Sequence, residues 1–286
     1  METNKPKPQQ DIPKKIIKTA KLLEALSPNL ATSFAYKLFV TPINHKAPKR
    51  EEEMEKEAVQ KYIDIPAIGR KIRVFEYGKS DKKALLVHGW SGRGTQLVSL
   101  ANVLRKNGYM TISFDAPAHG KSEGRISHML MFIECIFELQ KIYGKFDLSI
   151  GHSLGGMSVM NAIKRGFITE KAITIGSGDI VSDIFDGFVE SLQLKKTISL
   201  KLKSKFEKRL KNTISDFDVF QAAKSTSIPV FIIHDKQDKD VPVYCAQHIH
   251  KHLSNGKLLI TEGLGHRKIL GDTQVIKQVI AFANNE

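Results

Sequence analysis

The most informative stretch of the 286-residue chain reads Leu148-Ser149-Ile150-Gly151-His152-Ser153-Leu154-Gly155-Gly156-Met157. It matches the pattern G-x-S-x-G, between a segment typical of a strand and one typical of a helix. A serine in this pattern stands on a sharp strand-to-helix turn, where the positions two before and two after it must be nearly free of side chain. Gly151 and Gly155 satisfy that requirement. We therefore predict that Ser153 is a nucleophile, facing the first amides of the next helix.

The predicted nucleophile needs a base, because a serine hydroxyl is nearly inert at neutral pH. His266 is the candidate base, in the glycine-rich run Gly263-Leu264-Gly265-His266-Arg267 between a predicted strand and the last predicted helix. Few of the ten histidines in the chain occupy a loop of that kind. We therefore expect His266 to accept the serine proton.

The base needs an acid that orients it, and the candidate is Asp238, in the loop after the next-to-last predicted strand. In the same loop, we expect Asp235 to hold the turn and Asp240 to cap the following helix. Asp179, in an earlier loop, is the alternative acid. The order Ser153, Asp238, His266 is the nucleophile, acid, base order expected of a triad built on an α/β sheet.

Acyl transfer also needs hydrogen-bond donors aimed at the oxyanion, each worth about 10²–10³ in rate. One predicted donor is the backbone N–H of Leu154. The second is the backbone N–H of Trp90, in the run His88-Gly89-Trp90 that follows a short apolar segment. Packing alone is the other interpretation of the Trp90 side chain, and the two interpretations are compatible because only the amide is needed.

Strand-like and helix-like segments alternate along most of the chain. Strands are predicted at 63–65, 72–77, 84–87, 109–114, 146–150, 172–175, 230–233 and 257–261, and helices at 97–106, 129–143, 154–164, 243–253 and 273–283. The first two strands read as a hairpin around Gly69. This alternation predicts an α/β fold, with a mostly parallel sheet, helices on both faces and right-handed crossovers.

About fifty residues between Ile175 and Val230 break the alternation, with helical apolar spacing and no clear strand. We interpret residues 178–226 as a helical insertion that acts as a lid. Its part from Leu194 to Lys211 carries eight basic residues against Glu207. Two interpretations stay open: a lid that prefers an anionic amphiphile or an acidic lipid surface, and a solvated lysine face over an apolar underside.

The N-terminal arm, residues 1–59, precedes the main domain of residues 60–286. Its first 13 residues are polar and proline-rich, so we expect them to be disordered. Residues 14–40 predict two amphipathic helices, broken near Ser27-Pro28. The lysines of the arm allow weak contact with a membrane surface, but packing against the main domain is the commoner arrangement for such helices.

Length and composition narrow the class of protein. The chain suffices for one large α/β domain, and no apolar run approaches the ~18 residues of a membrane span. The N-terminus also lacks the pattern of a signal peptide, so we expect a cytoplasmic protein. Cys135 and Cys245 lie in apolar helical patterns, which indicates buried free thiols in a reducing compartment.

The formal net charge of +14 is compatible with nucleic acid, anionic lipid or acidic substrates as partners. A lysine-rich solvated surface is the simpler interpretation. We expect no nucleic-acid partner, because the charge is accompanied neither by a basic and aromatic stripe nor by a recognised binding motif.

Five motifs in this order resemble the α/β-hydrolase fold family: His88-Gly89-Trp90, Phe114-Asp115-Ala116-Pro117-Ala118-His119-Gly120-Lys121-Ser122, Gly151-His152-Ser153-Leu154-Gly155, the Asp238 to Pro242 loop and Gly265-His266. The match runs from about residue 60 to 286. It implies a doubly wound, eight-stranded sheet, a Ser-His-Asp triad and a variable lid after the sixth strand. In that family the segment around His119 is a structural loop, so His119 is not the expected base. Ala118 and Asp235 depart from residues that are commoner there, which affects turns rather than chemistry.

The serine nucleophile argues against the relatives that use aspartate, such as haloalkane dehalogenases and epoxide hydrolases. The short His-Gly-Trp turn resembles members that act on acyl chains or small carboxylic esters. We therefore predict a serine hydrolase that cleaves a carboxylic ester or a thioester of a small molecule, with no metal or cofactor. The alternative is a catalytically silent α/β-hydrolase that serves as a small-molecule receptor.

Overall fold

An eight-stranded sheet forms the centre of the computed structural model, which describes residues 12–285. The strands are β1 (Val59–Ile65), β2 (Arg70–Tyr77), β3 (Lys83–Val87), β4 (Met110–Phe114), β5 (Phe146–His152), β6 (Thr169–Ile175), β7 (Val230–Asp235) and β8 (Gly256–Thr261). They lie in the order β1-β2-β4-β3-β5-β6-β7-β8. β2 runs antiparallel to β1 and β4, and every other neighbouring pair is parallel. The mostly parallel, eight-stranded sheet is therefore confirmed.

Helices cover both faces of this sheet. The α-helices are α1 (Lys14–Leu26), α2 (Pro28–Val40), α3 (Glu52–Glu57), α4 (Val98–Lys106), α5 (Met129–Tyr143), α6 (Leu154–Lys164), α7 (Val181–Ser191), α8 (Lys196–Leu210), α9 (Val219–Lys224), α10 (Tyr244–Lys251), α11 (Gly265–Lys268) and α12 (Thr273–Asn284). Leu85 and Val87 of β3 pack in the core with α5, α6 and α10, whereas Ala84 and Leu86 pack with α4 and α12. Because both sets are buried, the strand reads as a continuous apolar run rather than an alternating one.

Two helices from the arm and two from the insertion share a separate apolar core. α1 and α2 contribute buried alanines and Val40 together with larger, partly buried side chains such as Phe39, and α7 and α8 contribute large aromatic and aliphatic side chains. The Phe39 ring stacks on Phe185 with centroids 4.5 Å apart. The break between α1 and α2 has a local cause, since Ser27 accepts a hydrogen bond from the Asn29 amide and Pro28 is the first helical residue.

The predicted strands and helices of the main domain are all present, and so is the hairpin turning at Gly69. The two predicted arm helices are confirmed, and they pack against α7 and α8. The helices α3 and α11 were not predicted. Cys135 and Cys245 are buried free thiols.

The region from 178 to 226 contains α7, α8 and α9 and no strand. Its movement as a lid stays a prediction. The expected disorder of the first 13 residues falls almost wholly outside the described range. Within residues 12–285, no helix combines the length and the apolar character needed to cross a bilayer.

Candidate active site

Ser153 occupies the turn between β5 and α6 with φ 52° and ψ −120°, a conformation that is strained for any residue with a side chain. Two glycines make the turn possible. A Cβ atom on Gly155 would overlap the carbonyl oxygen of Val87, and one on Gly151 would overlap the backbone of Gly155. The Ser153 amide donates to the carbonyl oxygen of Ile175 at 2.9 Å, which fixes the turn to β6.

The predicted base and acid lie together. His266 Nδ1 is 2.6 Å from Asp238 Oδ2, and the Asp238 side chain is only 1% exposed. The other oxygen, Oδ1, accepts hydrogen bonds from the amides of Asp240 (2.9 Å) and Val241 (2.8 Å). The carboxylate is therefore held by its own loop on one side and orients the imidazole on the other, as a triad requires.

Asp235 joins the loops that carry these two residues. Its carboxylate accepts hydrogen bonds from Thr261 Oγ1 (2.8 Å), the Leu264 amide (3.0 Å) and the Gln237 amide (2.9 Å). Burial by itself would raise the pKa of Asp235, but a hydrogen bond from the Gly265 amide, together with those from Thr261, Leu264 and Gln237, holds the pKa below its ordinary value. The expectation that Asp235 holds the turn is confirmed. The expectation that Asp240 caps the next helix is wrong, because α10 begins only after Val243 and has no side-chain cap.

The His266 segment lies directly against the Ser153 turn. His152 Nε2 is 2.8 Å from the His266 carbonyl oxygen, and the two rings have centroids 4.6 Å apart. Burial holds the pKa of His152 well below its usual range, so this ring is neutral and donates from Nε2. Among the described residues, no hydrogen bond joins the Ser153 hydroxyl to the His266 ring. Such contacts are often long without substrate and shorten when it binds.

The alternative acid, Asp179, has a different partner. Its Oδ2 lies 2.5 Å from His248 Nδ1, and its Oδ1 accepts from the Phe220 amide at 2.8 Å. Burial raises the pKa of Asp179, although the hydrogen bond from His248 opposes this. The structure therefore pairs Asp179 with His248 and leaves Asp238 beside His266.

The two predicted oxyanion donors come from the residue after Ser153 and from the loop that approaches it after β3. Leu154 is the first residue of α6, and Trp90 follows Gly89, where an added Cβ would come within 3.0 Å of Ser153 Cβ. In residues 12–285, neither the Trp90 amide nor the Leu154 amide donates a hydrogen bond to a protein atom. Both amides are therefore free for a ligand oxygen, and their role as oxyanion donors stays a prediction.

Two buried histidines support the Trp90 turn, a feature that the sequence did not reveal. His119 Nε2 accepts from the Ser91 amide at 3.1 Å, while its Nδ1 donates to the Pro117 carbonyl oxygen at 2.9 Å. His88 Nε2 accepts from the Ala116 amide at 3.0 Å. Burial lowers the pKa of His119 to about 4, so the neutral form that can accept is present at neutral pH. The only signal in the sequence for this support is that the loops after β3 and β4 each contain a histidine, His88 and His119.

A family model described as the alpha/beta hydrolase fold matches residues 85–165, which include both the Trp90 turn and Ser153. No curated protein matches the chain significantly.

Several solved structures resemble about four fifths of the molecule or more. An esterase from Exiguobacterium antarcticum is 18% identical, with a TM-score of 0.64 over 79% of this chain and 100% of that one. The esterase Pf2001 from Pyrococcus furiosus is 18% identical, with a TM-score of 0.66 over 86% and 99%. A bromoperoxidase from Bacillus anthracis is 16% identical, with a TM-score of 0.61 over 80% and 100%. The chain therefore has the α/β-hydrolase fold, and the resemblance carried by its motifs is confirmed.

Proposed function

We propose that the protein is a serine hydrolase that cleaves a carboxylic ester, or a thioester, through an acyl-enzyme on Ser153. The observation that carries this proposal is the Asp238–His266 pair, which lies against the strained turn of a serine that is flanked by two free amides. The strained backbone at Ser153 costs free energy, and such strain is typical of sites where it holds a reactive group in position.

The reaction follows from these positions. Ser153 Oγ attacks the acyl carbon while His266 Nε2 takes its proton, and Asp238 holds the imidazole in the tautomer with the proton on Nδ1. The amides of Trp90 and Leu154 receive the oxyanion. His266 then gives its proton to the departing alkoxide or thiolate, and a water molecule activated by the same base releases the acid and restores Ser153.

The names of several neighbouring structures are compatible with an ester substrate. Two of the three structures above are named as esterases, and a further one, from Butyrivibrio proteoclasticus, has ferulic acid bound. The bromoperoxidase shows that the fold also carries other activities, so the ester assignment rests on the site rather than on the fold.

A fluorophosphonate probe tests the nucleophile directly. We expect the wild type to be labelled and Ser153→Ala not to be. The matched control is Ser225→Ala, an exposed serine whose hydroxyl only contacts the Ala222 carbonyl oxygen, and it should be labelled like the wild type. Labelling that survives in Ser153→Ala would contradict the proposal, and an unlabelled, folded wild type would favour the receptor alternative.

The substrate is tested with p-nitrophenyl esters from acetate to palmitate, beside an acyl thioester of matched chain length. We expect turnover in at least one of the two series and none in Ser153→Ala. A wild type that is labelled by the probe but hydrolyses neither series would overturn the ester and thioester assignment while leaving the nucleophile intact.

A further inference from the structure

Three cations of α8 are ordered by neutral oxygens of α2. They form three successive hydrogen bonds: Lys201 to Asn29 (3.1 Å), Lys205 to Ser33 (3.0 Å) and Arg209 to Tyr36 (3.2 Å). Because the cations are four residues apart, they lie on one side of the helix in a row about 12 Å long. Each hydrogen bond positions a positive charge without neutralising it.

An open cleft of about 720 Å³ runs between α2 and α8 along this row. Its walls also include Thr32, Leu200, Ser204 and Lys208, and no carboxylate from residues 12–285 lines it. In the described part of the chain, none of its four cations forms an ion pair with a carboxylate. Lys203, on another side of α8, differs in this respect, since its Nζ lies 2.7 Å from Asp186 Oδ1. The cleft is therefore an uncompensated positive site.

Exposed leucines accompany these cations. Leu22 and Leu26 of α1 are 63% and 69% exposed, Leu30 of α2 is 50% exposed and Leu200 of α8 is 57% exposed. The start of α8 is tied to α1, because the Lys195 amide donates to a Glu24 carboxylate oxygen at 2.8 Å. Exposed leucines thus stand on α8, which carries the unpaired cations, and on α1 and α2, which are hydrogen-bonded to it.

We propose that the arm–insertion face, defined as the outer surface of α1, α2 and α8, docks on an anionic lipid surface. Lipid phosphates would occupy the cleft beside Lys201 and Lys205, and leucines such as Leu26 and Leu200 would enter the layer below. An anionic lipid surface matches both the unpaired cations and the exposed leucines of this face. A nucleic acid or a free phosphate ion would pair with the cations but leave the leucines in water, and the Tyr36 ring is covered by Lys205 and Arg209 rather than free for base stacking.

Vesicle flotation tests this proposal with phosphatidylcholine vesicles that contain or lack phosphatidylglycerol. We expect the full-length protein to float with the anionic vesicles only, and to be released by salt. Lys201→Glu with Lys205→Glu should weaken binding by at least about 30-fold, because each basic residue contributes about fivefold near an anionic surface. Leu26→Ser with Leu200→Ser should also weaken binding, without changing its salt dependence.

The matched control is Lys251→Glu with Lys277→Glu, which makes the same change of charge on exposed lysines of α10 and α12. It should keep nearly all of the binding. An equal loss in the control would overturn the proposal, because charge alone would then explain the binding. Equal binding to neutral and anionic vesicles would also overturn the proposal. The same holds if the protein binds inorganic phosphate or a DNA duplex but does not bind vesicles. Fluorophosphonate labelling and the thermal midpoint establish that each variant is folded, and both are independent of lipid.

Discussion

At the scale of single residues, Asp238 contacts both its own loop and the predicted base. Oδ1 accepts two amides of its own loop, and Oδ2 faces His266. An asparagine there retains a carbonyl oxygen for the two amides, but presents an N–H group to Nδ1. The imidazole would then carry its proton on Nε2, the nitrogen that has to accept from Ser153.

We therefore predict that Asp238→Asn lowers kcat about 10³- to 10⁴-fold while the thermal midpoint changes little. Steady-state hydrolysis of the best p-nitrophenyl ester, together with thermal unfolding, measures both effects. Asp179→Asn is the matched control, with the same chemical change at the acid that contacts His248, and it should keep most of the activity. A larger loss in Asp179→Asn than in Asp238→Asn would show that the acid is assigned wrongly.

We infer that His119 is a positioning residue rather than a catalytic one, because it accepts a hydrogen bond from the Ser91 amide next to Trp90. We predict that His119→Leu lowers kcat roughly 10- to 100-fold with little change in KM, since a displaced amide weakens binding of the transition state more than that of the substrate. His119→Gln retains an acceptor and should recover part of the loss. Equal kcat values for folded Leu and Gln variants would contradict this role.

At the scale of elements, an aromatic cluster joins α2 to α7 and α8. The Phe39 ring contacts Phe185, Phe188 and Phe206, with centroids 4.5, 5.2 and 5.9 Å away. These rings come from segments that are far apart in the sequence, so their packing holds the arm against the insertion. The arm–insertion face depends on this packing, because α8 provides its cations and α2 their acceptors.

Phe39→Ala should lower the free energy of unfolding of these helices by about 3 kcal/mol, because it removes a ring from a packed cluster. The arm should then be cleaved faster by protease in the segment between α2 and α3. Limited proteolysis and urea unfolding measure the two effects. Phe39→Leu keeps most of the apolar volume and should lower the free energy of unfolding clearly less. An equal decrease in both variants would argue against a stabilising role of the ring contacts.

At the scale of the whole molecule, buried histidines make the fold sensitive to acid. Burial lowers the pKa of both His119 and His128 from 6.5 to about 4. Above pH 6.5 the folded and the unfolded chain both carry these rings neutral. Between pH 6.5 and about 4, these two rings become protonated in the unfolded chain but stay neutral in the folded chain. The free energy of unfolding therefore falls as the pH falls.

We predict that His119 contributes a loss of about 2 kcal/mol in the free energy of unfolding between about pH 7 and about pH 5. Urea unfolding of the wild type and of His119→Gln at both pH values isolates this contribution from that of the carboxylates. Between the two pH values, the free energy of unfolding of the variant should fall by about 2 kcal/mol less than that of the wild type. The same pH dependence in both proteins would show that His119 is not neutral in the folded state.

The predictable part of the fold is the part with local causes. The turn at Ser153 follows from glycines two residues away on either side, and the break before α2 follows from Ser27 and Pro28. The uniformly apolar β3 indicated a strand covered on both faces, because parallel strands of this kind leave neither side to water. The position of α11 lacked such a signal, since it is a single turn in a glycine-rich loop.

The candidate site also has a part that the sequence could predict and a part that it could not. The types of group required, a base and an acid in loops after strands, followed from the chemistry of a serine nucleophile. Which carboxylate faces His266 is a contact across 28 residues of chain, and Asp179 was an equally permitted type of residue. The support of the Trp90 turn by His119 also joins residues 28 apart, so no local pattern could reveal it.

Chain pattern alone was sufficient for the α/β architecture and for the strained serine turn, because backbone sterics and side-chain periodicity act within a few residues. Only three-dimensional packing assigned Asp238 to His266 and Asp179 to His248. Packing also placed the arm on the insertion, so that α2 orders the cations of α8. These arrangements depend on the free energy of contacts between distant segments, and such contacts form only when the sheet has brought the segments together.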